Sequence, residues 1–472
     1  MNLDLDDLKR LVNKLSGNKE TDFVDVFIEE RTGTTIVFDN GKIDRIKRGI
    51  DYGLGIRIIK NKRTYYGYST QTDMKTVNAL ATSIKEASGI YSSNKDIVFS
   101  LKDRPLISEI HQDPARVDAT QKIDLLKHAD DIARSYGPLV IQARSVFMDE
   151  NRRVFQVNSE GTVIDFERKG VVFFVHVTGR QGEVLQTGYE SVGGQVGMEI
   201  FDGGMAERIA RVSTERAMMM LGAREAPSGR MPVVLESEAG GTMIHEAVGH
   251  GLEADLVGEK MSVYAESLGI KIANEAVIVI DDPTMPNRRG SYPFDDEGVE
   301  SSRNILIENG YLKGFMYDRL SALKQGATLT GNGRRESYRH RPIPRMSNTY
   351  IAPSSLSADA ILKSTPKGLL VRKMGGGEVN TVNGDFVFEV AEGYLIENGR
   401  RSEPVRGATL VGNGPKALMN IDMVGDDLGF SIGTCGKDGQ GAPVSDAQPT
   451  LRIGTPDQPD TWLTVGGTAQ SS

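Results

Sequence analysis

Near residue 226 the chain changes character, and no single secondary-structure pattern accounts for both sides of the change. Before it, helix-period and strand-period stretches alternate. After it, glycine clusters recur: Gly240-Gly241, Gly331-Asn-Gly333, Gly375-Gly376-Gly377, Gly412-Asn-Gly414 and a run from Gly429 to Gly441. The segment Ala226-Pro-Ser-Gly-Arg230 between them has the composition of a linker. At 472 residues the chain is also too long for one ordinary hydrophobic core. The reading is an α+β chain of two domains. An N-terminal α/β domain over 1–225 has an antiparallel sheet and helices, and a mainly β C-terminal domain covers 226–472.

In the first half, helical periodicity over 3–16 precedes three strand-like stretches, Phe23 to Ile28, Thr34 to Phe38 and Ile43 to Lys47. Asn40-Gly41 is a two-residue hairpin turn between the last two. Asp51 to Ile59 and Arg63 to Tyr68 continue the sheet. Helices are expected near 71–88, 119–136 and 205–221, with a second strand group from Val140 to about Val196. In the second half, Leu306-Ile-Glu-Asn-Gly310 recurs as Leu395-Ile-Glu-Asn-Gly399, which reads as two similar hairpins turning at Asn-Gly. A chance likeness of short turn sequences is the alternative.

Several functions are excluded or disfavoured by composition. The net charge of −8 argues against a general nucleic-acid binder, which needs positive surface to displace counterions from phosphates. A lone cysteine, Cys435, cannot form an internal disulfide. Leu3, Leu5, Leu8, Leu11, Val12 and Leu15 are mixed with charges, unlike a signal peptide, and no apolar run is long enough to span a membrane. The expected compartment is the cytoplasm.

The chemistry is concentrated in His245-Glu246-Ala247-Val248-Gly249-His250. Imidazoles are common zinc ligands, and a glutamate beside the first can act as a general base. The spacing poses a geometric problem. Five residues apart, two side chains on a regular α-helix differ by about 140° around the axis and cannot share one metal. A one-residue π-bulge near Val248–Gly249 would restore a common face. The alternative is two unrelated histidines on opposite faces of a helix. A third ligand is also required, and Cys435, in a glycine-rich loop, offers a soft thiolate. Glu253, Asp255 and His340 are the other candidates. A small buried hydrophobe is the alternative for Cys435.

Three segments in order, His245-Glu-Ala-Val-Gly-His-Gly-Leu-Glu253, Met374-Gly-Gly-Gly-Glu-Val-Asn-x-x-x-Gly-Asp-Phe-Val-Phe388 and Gly433-Thr-Cys-Gly-Lys-Asp-Gly-Gln440, resemble the TldD/PmbA peptidase family. The intact HExxxH motif resembles the TldD side, since the PmbA (TldE) branch lacks it. The resemblance implies a Zn2+ peptidase with His245, His250 and Cys435 as ligands and Glu246 as general base. It implies a metal site in the β-rich domain. It also implies unfolded or extended peptides as substrates, cleaved inside a chamber formed with a TldE/PmbA-type subunit or in a homodimer. A strand edge near Gly375, Gly376 and Gly377 would suit main-chain recognition of such peptides. Arg334 to Arg345 is the strongly basic segment. Arg345 could hold a substrate carboxylate, and Tyr338 or His340 could steady an oxyanion, while a solvated or carboxylate-paired loop is the alternative. The rival to an enzyme is a non-catalytic regulatory binding partner, for example a modulator of DNA gyrase.

Overall fold

The structure, a computed structural model, describes residues 3–17, 20–90, 94–103, 107–454 and 464–466; the extreme ends of the two expected domains lie outside these residues. Asn40-Gly41 turns the chain with both residues in the left-handed region (φ 52° and 78°). It joins two strands longer than the sequence pattern indicates, Thr21–Asp39 and Lys42–Lys60. The pattern fails in the middle of the first strand because Glu29 and Arg31 interrupt the apolar run. These residues mark no turn: Glu29 is buried and pairs with Arg152 and Arg31, where the sheet meets the second half of the chain. Two further long strands, Val140–Asn158 and Thr162–Gln181, extend the antiparallel sheet, which Arg63–Ser69 closes on one edge. On the other edge Val184–Gly194 and Ser100–Leu101 pair with different ends of Thr162–Gln181.

One face of this sheet carries four helices in two pairs. Leu5–Leu15 and Met74–Ser88 cover one end, burying Leu8 and Val77 against Val24, Ile56 and Val157. Ala119–Ser135 and Met205–Gly222 cover the other, burying Leu126 and Ala210 against Ile36, Phe147 and Phe173. Asp4, Asp73 and Asp118 cap three of these helices through their side chains. The four start and stop within a few residues of the sequence reading.

The opposite face packs on the C-terminal half through a buried ionic layer. Arg57 bonds Asp25 and Glu297, each at 2.6 Å, and Arg335 bonds Asp25 at 3.0 Å. Arg152 reaches Asp296 at 3.2 Å. All six side chains are almost wholly buried. Removing one partner would leave an uncompensated buried charge, so this layer fixes how the two halves sit together.

The C-terminal half is built on one mixed sheet, fourteen-stranded among the described residues. Val233–Leu235 lies in its middle, parallel to Lys367–Val379 and antiparallel to Gln440–Ile453. The two echoing fragments are both hairpins, turning at Asn309-Gly310 and Asn398-Gly399 with all four residues at positive φ. The fold is therefore α+β, with a helix-bearing antiparallel sheet followed by a β-rich second half. Among the described residues no helix is long and apolar enough to cross a membrane.

Candidate metal centre

Gly240-Gly241 bring the chain against the strand Gln440–Ile453. A Cβ on Gly241 would lie 2.3 Å from the Ala447 nitrogen, so only glycine permits the crossing. The helix starting there is regular only over Thr242–Ile244. It widens to a π-turn over His245–Gly249 and tightens to a 3₁₀ turn over His250–Leu252. The His250 N–H donates to the His245 carbonyl, five residues back, which is the bulge the histidine spacing demands. The two rings consequently face each other, with centroids 5.1 Å apart and planes at 90°. The Tyr264 hydroxyl donates to the Ala247 carbonyl at 3.1 Å within the bulge. At Gly249 a Cβ would meet Met346 Sδ at 2.0 Å, so the bulge packs directly on that side chain.

Cys435 does not lie in a loop, as its glycine-rich context suggests. It lies on the strand Ile421–Lys437, which forms a long hairpin with Gln440–Ile453 through Asp438-Gly439. One donor atom from each of His245, His250 and Cys435 lies within 4.8 Å of the others. Cys435 Sγ is 3.4 Å from His250 Nε2. Two ligands of a tetrahedral zinc, one nitrogen and one sulfur, sit about 3.5 Å apart, so the spacing fits such an ion.

Each imidazole is held from behind by a carboxylate. Asp446 Oδ1 lies 2.7 Å from His245 Nδ1, and Glu253 Oε2 lies 2.9 Å from His250 Nδ1. Both contacts assign the Nδ1 proton to the carboxylate side and direct Nε2 toward the shared centre, the arrangement that metal-binding histidines use. Lys437 in turn bonds Glu253 at 3.1 Å and Asp255 at 2.6 Å. Burial pushes Glu253 up, but Lys437 and His250 outweigh it and hold the carboxyl down at about 2. Burial likewise raises the Cys435 thiol, and hydrogen bonds from His245 and His250 bring it down to about 6. The sulfur is thus set up as a thiolate, the form that binds metal.

Glu246 projects with the two histidines and Cys435 into a cavity of about 670 Å³. Its carboxylate is 4.0 Å from His250 Nε2 and partly open to solvent. Gly375 and Gly376 line the same cavity, at a bulge where the strand Lys367–Val379 carries two residues against Glu389. Gly377 does not line it: its Cα faces Phe388, whose ring would lie 1.9 Å from an added Cβ.

The other expected residues are elsewhere. Tyr338 is buried in the ionic layer between the halves, its hydroxyl donating to Asp51 at 2.9 Å. His340 Nδ1 hydrogen-bonds the Ser337 hydroxyl at 3.1 Å, and the ring does not line the cavity. Arg345 is wholly buried and donates to the carbonyls of Cys435 and Gln440, so it clamps the hairpin and cannot receive a substrate carboxylate. The basic segment is a paired one: Arg335 bonds Asp25 and Arg339 bonds Asp51. Glu253 and Asp255, the alternative ligands, stand behind the centre rather than in it. Asp446, Lys437 and Tyr264 escape sequence reasoning, since isolated Asp, Lys and Tyr residues far along the chain carry no spacing signal. Asp446 lies six residues beyond Gln440 on the paired strand, which only the hairpin reveals.

Comparison with known proteins fits this geometry. Residues 228–456 match the family model described as the PmbA/TldA metallopeptidase C-terminal domain. Residues 24–90 match domain 1 of that family, and 112–221 match its central domain. A metalloprotease TldD homolog of Haemophilus influenzae is 33% identical over 464 residues, covering 96% of this chain and 95% of that protein. Two solved structures share the fold. One is a putative modulator of a DNA gyrase from Thermotoga maritima, with TM-score 0.77, 22% identity, and coverage of 94% of this chain and 96% of that one. The other is TldE from Thermococcus kodakarensis, with TM-score 0.71, 19% identity, and coverage of 95% and 100%.

Proposed function

The chain belongs to the PmbA/TldD metallopeptidase family, and from that premise we propose that it is a zinc-dependent peptidase acting on extended, unfolded peptides. The observation that carries this reading is the set of three convergent donors, His245, His250 and Cys435, with a carboxylate behind each imidazole. Two imidazoles and a thiolate favour zinc over the oxygen-seeking magnesium, calcium or manganese. A thiolate ligand also suits a reducing compartment such as the cytoplasm.

His245, His250 and Cys435 would hold a divalent metal, which would supply Lewis-acid activation of a scissile carbonyl and of water. Glu246 then acts as the general base, taking a proton from the attacking water and returning it to the departing amine. Its adjacency to His245 and its opening to the cavity support that role. Asp446 and Glu253 keep the imidazoles in one tautomer and orientation throughout.

Recognition through the substrate main chain is supported by the cavity wall. Val233–Leu235 pairs with Lys367–Val379 only over Leu369–Val371, so beyond Val371 that edge has no strand partner among the described residues. Lys373, Met374, Gly375 and Gly376 line the cavity along this stretch. An extended peptide can complete the open edge with main-chain hydrogen bonds, which a folded substrate has already committed elsewhere. An enclosing dimer, with a TldE/PmbA-type chain or a second copy, is supported by the shared fold of the Thermococcus TldE.

The test is hydrolysis of an unstructured peptide by purified protein, alone and with a TldE/PmbA-type partner, before and after chelation and zinc restoration. Chelation should abolish turnover and zinc should restore it. Glu246→Gln should lower kcat about 100- to 10,000-fold while retaining the metal. Turnover that survives both treatments would overturn the assignment.

A further inference from the structure

A second cavity, of about 200 Å³, lies between the two halves of the molecule beside the metal centre. Six cationic side chains line it, and four of them are committed to carboxylates. Arg31 pairs with Glu29 and Glu150, Arg152 with Glu29 and Asp296, Lys169 with Asp113, and Arg335 with Asp25. Its three acids are committed as well. Asp149 bonds Lys122, Glu150 pairs with Arg31, and the Glu336 carboxylate accepts the Gly441 N–H.

Arg168 and Arg289 are different. Among the described residues the Arg168 guanidinium lies over the Phe166 and Tyr292 rings and makes one long hydrogen bond, to the Ser291 carbonyl at 3.5 Å, while its buried Nε has no hydrogen-bond partner. Among the described residues the Arg289 guanidinium donates only to the Thr434 hydroxyl, at 3.1 Å. Among the described residues neither forms an ion pair with a carboxylate. Burial and the nearby Arg152 pull Arg168 down to about 9 against the opposing pull of Asp296 and Glu150, and burial lowers Arg289 despite Glu150, so neither charge is fully compensated. Two guanidinium groups facing one small cavity with no carboxylate in direct contact are the complement of an anion.

The cavity adjoins the peptide path. The strand Val184–Gly194 lines the metal cavity as far as Ser191 and the second cavity at Gly194, about 10 Å further on at strand spacing. Thr434, which receives Arg289, lines the metal cavity next to Cys435. We propose that Arg168 and Arg289 form a carboxylate subsite that anchors the peptide about three residues beyond the metal. This rests on the peptidase reading above. The carboxylate comes either from the peptide's C-terminus or from an acidic side chain near that end.

Four peptides of one sequence separate these sources: C-terminal acid or amide, each with Glu or Gln three residues past the cleavage point. If the C-terminus is the ligand, the acid exceeds the amide in kcat/KM about tenfold whichever side chain is present. If the side chain is the ligand, Glu exceeds Gln about tenfold in the amidated pair. In Arg168→Gln and Arg289→Gln the preference falls toward one. The same peptides, fluorescently labelled, are titrated against the zinc-loaded Glu246→Gln protein, so the Kd ratio is read without turnover. Equal kcat/KM and equal Kd across all four in the unsubstituted protein overturn the subsite. Failure of every peptide to be cleaved would count against the peptidase reading alone, and the Kd ratios would still decide the subsite.

Discussion

Replacing Asp446 tests the centre without touching a metal ligand. Its Oδ1 lies 2.7 Å from His245 Nδ1, and the residue is only 7% exposed, so solvent cannot take over its role. Asp446→Ala keeps the strand pairing to Ser431, which is main chain, and removes only the carboxylate. His245 then loses both the acceptor that fixes its tautomer and the charge that makes Nε2 more basic. Loss of such a support typically weakens metal binding 10- to 100-fold, or about 1.4–2.7 kcal/mol. Asp446→Asn retains an acceptor oxygen and should fall between the two. Zinc affinity is read by competition with a chromophoric chelator on metal-depleted protein, with circular dichroism verifying the fold. An Asp446→Ala protein that folds normally and binds zinc as tightly as the parent would refute the carboxylate–imidazole–metal arrangement.

Cys435→Ser should reduce zinc affinity by about two orders of magnitude or more, because a neutral hydroxyl replaces a thiolate; metal analysis after gel filtration checks this, and full zinc content would redirect the third ligand to Glu253 or Asp255. A stable domain offered in native and permanently unfolded forms should be cleaved only in the unfolded form, and equal rates would exclude recognition by strand addition. Asp318 supplies a pH test away from the metal. Burial, reinforced by Glu297, raises its carboxyl to about 6. The folded state therefore binds this proton more tightly than the unfolded chain, and the stability it contributes is complete below about pH 4 and lost as pH rises through about 6. Asp318→Asn keeps an oxygen for the Ser321 N–H and should stabilise the protein by about 1–3 kcal/mol at pH 7 but not below pH 4, as read from urea midpoints; a pH-independent difference would show that Asp318 is not the group responsible.

The N-terminal sheet and its helices were legible because their signals are local. Asn40-Gly41 announces a turn whatever surrounds it, and the apolar period along each helix announces the helix itself. The proposed donor triad was legible in part for the same reason: His245 and His250 share one helix, and their odd spacing itself required the π-turn for a common face. Cys435 could be offered from its thiolate chemistry but singled out from Glu253, Asp255 and His340 only through likeness to a family, since 185 residues separate it from His250. Residues that act through tertiary contact were misjudged. Tyr338 and Arg345 sit in a basic segment that looks exposed, yet both are buried, because the acids that neutralise or orient that segment come from the distant strands around Asp25 and Asp51. Charge alone cannot distinguish a solvated loop from an ionic interface whose partners lie 300 residues away.

The hairpin explains why these distant residues depend on one another. Cys435 pairs with Ala442 and Ser431 pairs with Asp446, so one register sets both the third donor and the carboxylate behind the first. Slipping that register by one residue would turn one strand's side chains to the other face, separating Cys435 from the support of His245. Two features resist such a slip. Asp438-Gly439, both at positive φ, make a tight two-residue turn that allows a single pairing. Arg345 donates to the carbonyls of Cys435 and Gln440, on the two sides of that turn, from a wholly buried position. A guanidinium forked across both strands holds only when those carbonyls are in register. Arg345 therefore acts on the proposed metal centre chiefly through backbone geometry, and its charge also helps hold Glu253 ionised behind His250 without lining the cavity.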